Sequence, residues 1–80
     1  MDNTYEISII NHFADQQIRR DIRTWISTVT GGTRKIEYVW TVTGNLATMK
    51  FDATEEQVKE LRQIFVGIYS GVYSGIRKVD

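Results

Sequence analysis

The chain opens with a segment in which apolar and polar residues alternate. In residues 5–11, YEISIIN, the side chains of Tyr5, Ile7 and Ile9 occupy every second position. A two-residue period puts these side chains on one face of a strand and the intervening ones on the other face. The pattern predicts a first strand that buries these three residues.

A helical period follows the first strand. Six apolar residues recur at spacings of three and four, namely Ala14, Ile18, Ile22, Trp25, Ile26 and Val29. Such a stripe is typical of a helix that packs one face on a core. We expect Asn11 or Asp15 to cap the start of this helix, and Thr30-Gly31-Gly32 to end it, because glycine accepts the left-handed conformation.

A two-residue turn, Gly44-Asn45, lies at the centre of the strongest local pattern, residues 35–51. Turns of this type favour a β-hairpin. Pairing Thr43 with Leu46 puts the apolar positions of both strands on one face, whereas a slip of one residue would bury charged side chains. The residues predicted to face the core are Ile36, Tyr38, Trp40, Val42, Ala47, Met49 and Phe51.

A second amphipathic helix is predicted from residue 54 onward. Thr54 and Gln57 have the spacing of a capping box. The apolar positions of this helix share one face and are Val58, Leu61, Ile64, Phe65 and Ile68.

The repeat GIYSGVYSGI, residues 67–76, permits two structures. The helix either continues through it or ends near Ser70, with Gly71 left-handed, a turn over 72–75 and a short strand at 76–79. Each glycine inside a helix costs about 1 kcal/mol relative to alanine, so the second structure is favoured.

The resulting order, β-α-β-β-α with a short fourth strand, predicts a ferredoxin-like α+β sandwich. Two helices would cover one face of an antiparallel sheet with strand order 4-1-3-2. A chain of 80 residues supports one core, so we expect a single domain over residues 1–80.

Composition limits the possible functions. Ten basic and ten acidic residues cancel, which argues against the broad positive field of a non-specific nucleic-acid binder. The chain has no cysteine and one histidine, so we expect neither a disulfide nor a metal site. It shows no leader pattern and no apolar run long enough to cross a bilayer, which favours a cytoplasmic protein without membrane contact.

Catalysis is not expected from the residue pattern. His12 and Asp15 resemble a general base and its orienting group, but no activated nucleophile accompanies them. No glycine-rich phosphate loop or dinucleotide motif is present either. We therefore predict no catalytic residue, no metal and no cofactor.

The predicted topology leaves three surfaces for a partner. The rim, where the first strand ends beside the hairpin turn and the end of the second helix, comprises Asn11, His12, Asn45, Tyr69 and Tyr73. The basic face of the first helix comprises Arg19, Arg20 and Arg23. The open sheet face, opposite the helices, includes Ile10, Val39, Thr41, Leu46 and Thr48.

These features favour a small non-enzymatic interaction module, an inhibitor or adaptor of the kind that viruses also encode. Its partner would be a larger protein or nucleoprotein, or a second copy of the chain bound through the sheet. Two alternatives share the topology. One is a small-ligand regulatory domain resembling ACT domains, against which the glycine-free loop NHFADQQ argues. The other is an RNA-binding domain that uses the basic helix face.

Overall fold

A computed structural model of the chain describes residues 3–31 and 39–79. The predictions for Gly32, Ile36 and Tyr38 lie outside these residues. The elements are β1 (Asn3–Ile10), a short 3₁₀ helix (Asn11–Phe13), α1 (Gln16–Thr30), β2 (Thr41–Thr43), β3 (Leu46–Ala53), α2 (Glu55–Ile68) and β4 (Tyr73–Lys78). The described strands form an antiparallel sheet of order β2-β3-β1-β4. The ferredoxin-like α+β prediction and its strand order are confirmed.

The central strand β1 pairs with two neighbours. Ile7 lies opposite Met49 of β3 on one side and Ile76 of β4 on the other. The predicted alternation holds, since Tyr5, Ile7 and Ile9 are buried in the core that the helices cover. The intervening residues of β1 therefore face away from both helices.

Helix α1 begins and ends as its sequence predicts. The Asp15 carboxylate accepts a hydrogen bond from the Ile18 N–H at 2.9 Å, which caps the first turn. Gly31 ends the helix in the left-handed conformation with φ of 84°. Ile22 and Ile26 are fully buried, so the predicted stripe is the face that packs on the sheet.

Helix α2 has the predicted capping box. The Gln57 N–H donates to the Thr54 hydroxyl at 3.2 Å, and the Thr54 N–H donates to the Gln57 side-chain oxygen at 2.9 Å. The prediction that Ile68 belongs to the core is wrong, because its side chain is 58% exposed. The core ends one turn earlier at Phe65, which the rings of Tyr69 and Tyr73 contact.

The hairpin register is confirmed wherever the structure describes both strands. Val42 lies opposite Ala47, but Val42 is 52% exposed, so its predicted burial is wrong. The physical reason is position: β2 is the outermost strand, whereas α1 packs over β3. Trp40 is half-buried, and its indole N–H donates to the Arg19 carbonyl at 3.3 Å.

The glycine-rich repeat divides between a helix end and a strand. Helix α2 stops at Ile68, two residues before the predicted end, and β4 begins at Tyr73 rather than after a turn over 72–75. The pairing of β4 with β1 shifts register next to Ile9, which accommodates one extra residue of the repeat. The first copy of the four-residue unit, residues 68–71, thus ends the helix and enters the turn, whereas the second copy, residues 72–75, leads into the strand.

The left-handed conformation predicted for Gly71 is wrong. Gly31 and Gly44 are the described glycines with positive φ. The turn after α2 closes instead on the Tyr69 carbonyl, which accepts the N–H groups of Val72 at 2.9 Å and Tyr73 at 2.8 Å. Two donors on one carbonyl reverse the chain without a left-handed residue at position 71.

Gly44 and Gly71 form a matched pair for substitution, because a Cβ added at either position would meet no atom within 4 Å. Only Gly44 has a positive φ, of 60°. We expect Gly44→Ala to lower the free energy of unfolding by about 1 kcal/mol, and Gly71→Ala to change it by less than about 0.5 kcal/mol. Urea denaturation measures both values. An equal loss at the two positions would contradict the turn geometry.

Trp40 and Thr41 test the hairpin register. Trp40 packs against the core from a half-buried position, whereas Thr41 is exposed on the other face. We expect Trp40→Ala to lower the free energy of unfolding by about 3 kcal/mol, and Thr41→Ala to change it by less than about 0.5 kcal/mol. Thermal melts of both variants provide the comparison, and equal melting temperatures would show that the register is wrong.

Candidate binding surfaces

The rim forms around Asn11, the first residue after β1. Its N–H donates to the Asn45 carbonyl of the hairpin turn at 2.8 Å, and its side-chain oxygen accepts from the Arg19 guanidinium. His12 and Phe13 follow, both exposed, with their rings 5.0 Å apart. The structure therefore brings together three of the predicted rim residues, Asn11, His12 and Asn45.

Tyr69 and Tyr73 were expected to be exposed at the rim, but the structure buries both side chains in part. Their rings pack on Phe65 at centroid distances of 6.0 and 5.8 Å, and both are half-buried. Burial raises the pKa of the Tyr69 hydroxyl above its usual value, and the negative charge of Asp21 raises that pKa further. Burial also raises the pKa of Tyr73, while the positive charge of Arg62 partly offsets this. These tyrosines act as cover for the core.

The open sheet face contains the predicted residues and changes in character along its length. Ile10 lies opposite Leu46 next to the rim, which makes that end apolar. At the far end Glu6 lies opposite Lys50 and forms an ion pair with Arg77 at 3.0 Å. No described helix covers this face, and at its apolar end Ile10 and Leu46 are both half-buried.

The side of the open face next to β2 combines β-branched and charged side chains. Val39 is 60% exposed, and it lines a shallow depression together with Thr41, Thr43 and Thr48, which Glu6 and Lys50 also line. β-branched side chains at these positions make a flat surface that suits packing by another strand or sheet. The predicted open-face residues Val39, Thr41 and Thr48 are thus brought together.

Backbone alternation decides which groups of β2 point outward. The Ile10 N–H donates to the Val72 carbonyl at 2.9 Å, so the neighbouring residue Ile9 directs its backbone groups toward β3. The backbone N–H and C=O of its partner Ala47 therefore point toward β1. Those of the residues on either side of Ala47 point toward β2. We call this alternation in the direction of the backbone groups the parity of a strand. The parity of each strand is set by its pairing with the neighbouring strand.

Val42 directs its N–H and C=O away from the sheet. Thr41 lies opposite Thr48, and Thr43 lies opposite Leu46. Because the backbone groups of Thr48 and Leu46 point toward β2, those of Thr41 and Thr43 point back toward β3. Val42 lies between them, on the outer edge of the outermost strand. An outward donor and acceptor beside an exposed apolar side chain are what an added strand requires.

The basic face of α1 forms one wall of a surface groove of about 250 Å³. We call it the α1 groove; it is lined by Gln16, Arg19, Arg20, Arg23 and Trp40. The prediction places all three arginines opposite the apolar stripe, which is wrong for Arg19. Arg19 is half-buried, because its guanidinium reaches back to Asn11 and Trp40 lies against its backbone.

The Arg19 side chain is incompletely paired. One terminal nitrogen donates to the Asn11 side chain, but Nε is buried and has no hydrogen-bond partner in the described part of the chain. A buried donor without an acceptor is costly, and more so on a charged group. Arg19, which lines the α1 groove, therefore carries one buried donor without an acceptor among the described residues.

The structure places Asp15 and His12, the pair that resembles a base and its orienting group, in other contacts. The Asp15 carboxylate is engaged as the cap of α1, and His12 lies in ring contact with Phe13. No cluster of three or more His, Cys, Asp or Glu side chains capable of holding a metal occurs in residues 3–31 and 39–79. Within the same residues, no helix has the length and apolarity to cross a membrane.

Sequence reasoning missed two features of these surfaces. Trp40 was assigned only to the core, although it also lines the α1 groove; its position in an edge strand beside a polar helix flank was the available signal. The link between Asn11 and Arg19 had no signal in the sequence, because the two residues are eight positions apart and meet only through a 3₁₀ turn.

The raised pKa values of Tyr69 and Tyr73 predict how stability changes at alkaline pH. A folded-state pKa above the unfolded value of about 10 stabilises the folded protein at lower pH, and that stabilisation is lost as pH rises through the folded pKa. We expect the stability advantage of the wild type over Tyr73→Phe to be constant near neutral pH and to shrink above about pH 10. Urea denaturation across this range measures it. If the free energies of unfolding of the two proteins changed in parallel with pH, the raised pKa assigned to Tyr73 would be wrong.

Comparison with known proteins gave no match. Neither the family models nor the curated proteins nor the solved structures that we compared with the chain are similar to it. The function of the chain has to be inferred from its own surfaces.

Proposed function

We propose that the chain is a non-catalytic interaction module, an inhibitor or adaptor, which binds another protein chain along β2. The observation that carries this proposal is the outward-facing backbone of Val42 on an outermost strand, beside a side chain that is 52% exposed. A partner strand added there would extend the sheet.

The described edge is a strand of only three residues, Thr41–Thr43, and it lacks three other features that protect an outer strand. Proline, charged side chains and bulges discourage a further strand from pairing. Residues 39–43, VWTVT, contain no proline and no charged residue, and the described pairing of β2 with β3 is regular. An edge of this kind supports strand addition.

The open sheet face would lie against the same partner. Val39 and Thr41 project to this face next to the edge, and Ile10 and Leu46 continue it toward the rim. Interface centres are depleted in charge, as this end of the face is. A bound strand at β2 would thus place its flanking residues over Val39 and Thr41, with the half-buried Ile10 and Leu46 beyond them.

A protein partner fits this surface better than RNA does. RNA-binding domains of this topology stack bases on aromatic side chains of the open face. In the described strands, the open-face positions on β1 and β3 are Thr4, Glu6, Ser8, Ile10, Leu46, Thr48, Lys50 and Asp52. None of them is aromatic, so the chemistry favours protein contact.

Val42→Pro tests the proposal directly. Proline removes the outward N–H and costs β2 no bond to β3, because edge strands tolerate proline where the N–H faces solvent. We would select peptides from a random displayed library on the wild-type protein and measure their affinities for both proteins. We expect Val42→Pro to weaken peptide binding about tenfold or more, because the variant loses one backbone hydrogen bond to the peptide and packs less well against it.

Val42→Thr is the matched control, since it keeps the N–H and a β-branched side chain. We expect this variant to bind the selected peptides within about threefold of the wild type. Circular dichroism would check that both variants fold. Selected peptides that bind Val42→Pro as tightly as the wild type, or a failure to select any, would contradict strand addition at β2.

A further inference from the structure

The α1 groove adjoins the edge at which a partner strand is proposed to bind. Its helical wall is one stripe of α1, at spacings of three and four positions, formed by Gln16, Arg19, Arg20 and Arg23. Trp40 forms the other side; it immediately precedes β2, and its indole N–H donates to the Arg19 carbonyl. The groove therefore lies on the helix side of the sheet, between α1 and the outermost strand.

We infer that the strand which adds to β2 is acidic, with an aspartate or glutamate on its helix-facing side beside Arg20. This inference rests on the proposed function, because it names the chemistry of the chain that would bind along the same edge. A carboxylate matches a guanidinium group, whose planar fork donates two parallel N–H groups. The partner is thus an extended acidic segment of another protein.

Strand pairing determines which side chains of the partner would reach the α1 groove. Residues directly opposite each other in a sheet project to the same face. Val42 lies opposite the buried Ala47, so both project to the helix side. A partner residue opposite Val42 would project there too, and so would the residue two positions along, at the level of Trp40. Because Trp40 lines the groove, that second residue would lie nearest the helical wall.

Arg20 is the cation that such a residue would meet. Its side chain is exposed and lines the groove. Arg19 adds positive charge to the same wall, since its guanidinium bonds to the neutral amide of Asn11, which does not cancel that charge. Arg23 already has an interaction of its own, so the attraction expected for a carboxylate comes from Arg20 and Arg19.

The carboxylates of α1 and its cap are engaged away from this wall. Asp15 accepts the Ile18 N–H as the cap of α1, and Asp21 accepts from the Gln17 side chain at 2.8 Å. Asp21 also lies close enough to Tyr69 to raise the pKa of its hydroxyl, which places this carboxylate toward α2. Among the described residues no carboxylate lines the groove, so the acidic group has to come from the partner.

The size of the groove suits a side chain rather than a separate small molecule. Its volume of about 250 Å³ is below the roughly 300 Å³ at which pockets for whole drug-sized molecules begin. A side chain of a strand already bound at β2 needs no such pocket, because the backbone hydrogen bonds of the strand hold it in place. The groove would therefore select among strands instead of binding a ligand alone.

A second copy of the chain fits this edge less well than an acidic partner does. An antiparallel pair of β2 strands related by two-fold symmetry would place both α1 helices on the same face of one continuous sheet. Their arginine stripes would then face each other, and like charges brought together across an interface are costly. Residues 39–43, VWTVT, contain no carboxylate that would offset this repulsion.

The composition of selected peptides tests the inference. Peptides selected from the random displayed library on the wild-type protein would be sequenced, and those that Val42→Pro weakens would be classed as edge-binding. Among these, we expect Asp and Glu to be enriched over Lys and Arg relative to the unselected library, at low ionic strength. Edge-binding peptides without an acidic excess would overturn the inference and leave strand addition intact.

Two charge reversals give the matched comparison. Arg20 and Lys59 are both exposed helical cations, but only Arg20 lines the groove. We expect Arg20→Glu to weaken the edge-binding peptides about tenfold and Lys59→Glu to weaken them less than about twofold. Both variants change the net charge equally, so equal effects would reduce the attraction to general charge and would overturn a contact at Arg20.

A double-mutant cycle tests the pair itself. We expect replacement of the acidic residue of a selected peptide by its amide to weaken binding to the wild type about fivefold. The same replacement should change binding to Arg20→Gln less than about twofold, because the carboxylate has lost its partner. Equal losses in both proteins would show that the carboxylate contacts another group, and would overturn the inference.

Val42→Pro and sedimentation distinguish the remaining outcomes. If no peptide is selected, or if Val42→Pro leaves all of them bound, strand addition fails and the acidic partner fails with it. If Val42→Pro weakens binding but Arg20→Glu does not, only the acidic partner fails. We expect the wild type to sediment as a monomer; a dimer that Val42→Pro dissociates would show that a second copy occupies the edge, and would overturn the inference.

Discussion

The hydrogen bonds on the two sides of β1 are the constraint on which the rest of the structure depends. At its end, the Ile10 N–H bonds to the Val72 carbonyl on the β4 side, and the next N–H, that of Asn11, bonds to Asn45 in the hairpin turn. These two contacts hold three loops at one rim. They also fix the parity of every strand: which residues are buried under the helices, which lie on the open face, and which backbone groups point out of the sheet.

Both candidate surfaces are consequences of that parity. Carried across β3, it leaves the Val42 backbone on the outer edge of β2. On the helix side, Asn11 holds the Arg19 guanidinium, and the Trp40 indole donates to the Arg19 carbonyl. These two bonds seat the polar flank of α1 beside the edge strand. The groove and the free edge therefore adjoin each other although their chemistry is unlike.

Much of the fold follows from local patterns in the sequence. Alternation in β1, the capping groups of both helices and the two-residue hairpin turn each specify their own element, and the register leaves one consistent topology. The two wrong core predictions have a common cause. Val42 and Ile68 have apolar side chains at core-facing positions of their elements, but the elements that would cover them stop short. Periodicity shows which way a side chain points and not how far the neighbouring layer extends.

The candidate sites were less accessible to sequence reasoning than the fold. The arginines of α1 and the residues of the open face follow from periodicity, because each lies on a predictable side of its element. The unpaired Arg19 Nε depends on a contact with Asn11 across a 3₁₀ turn, and the turn after α2 depends on the Tyr69 carbonyl. Neither has a residue pattern of its own. Such features need the backbone path before they can be seen.

Amide hydrogen exchange in β2 tests the central claim, that the outer edge of this strand is free, most directly. In dilute protein without a partner, the Thr41 and Thr43 N–H groups bond to β3, whereas the Val42 N–H faces solvent. The account predicts that Val42 exchanges about tenfold faster or more than both threonines after correction for intrinsic rates. Protection of Val42 equal to that of Thr43 would show that the edge is already covered, and would contradict the proposal that a partner strand binds there.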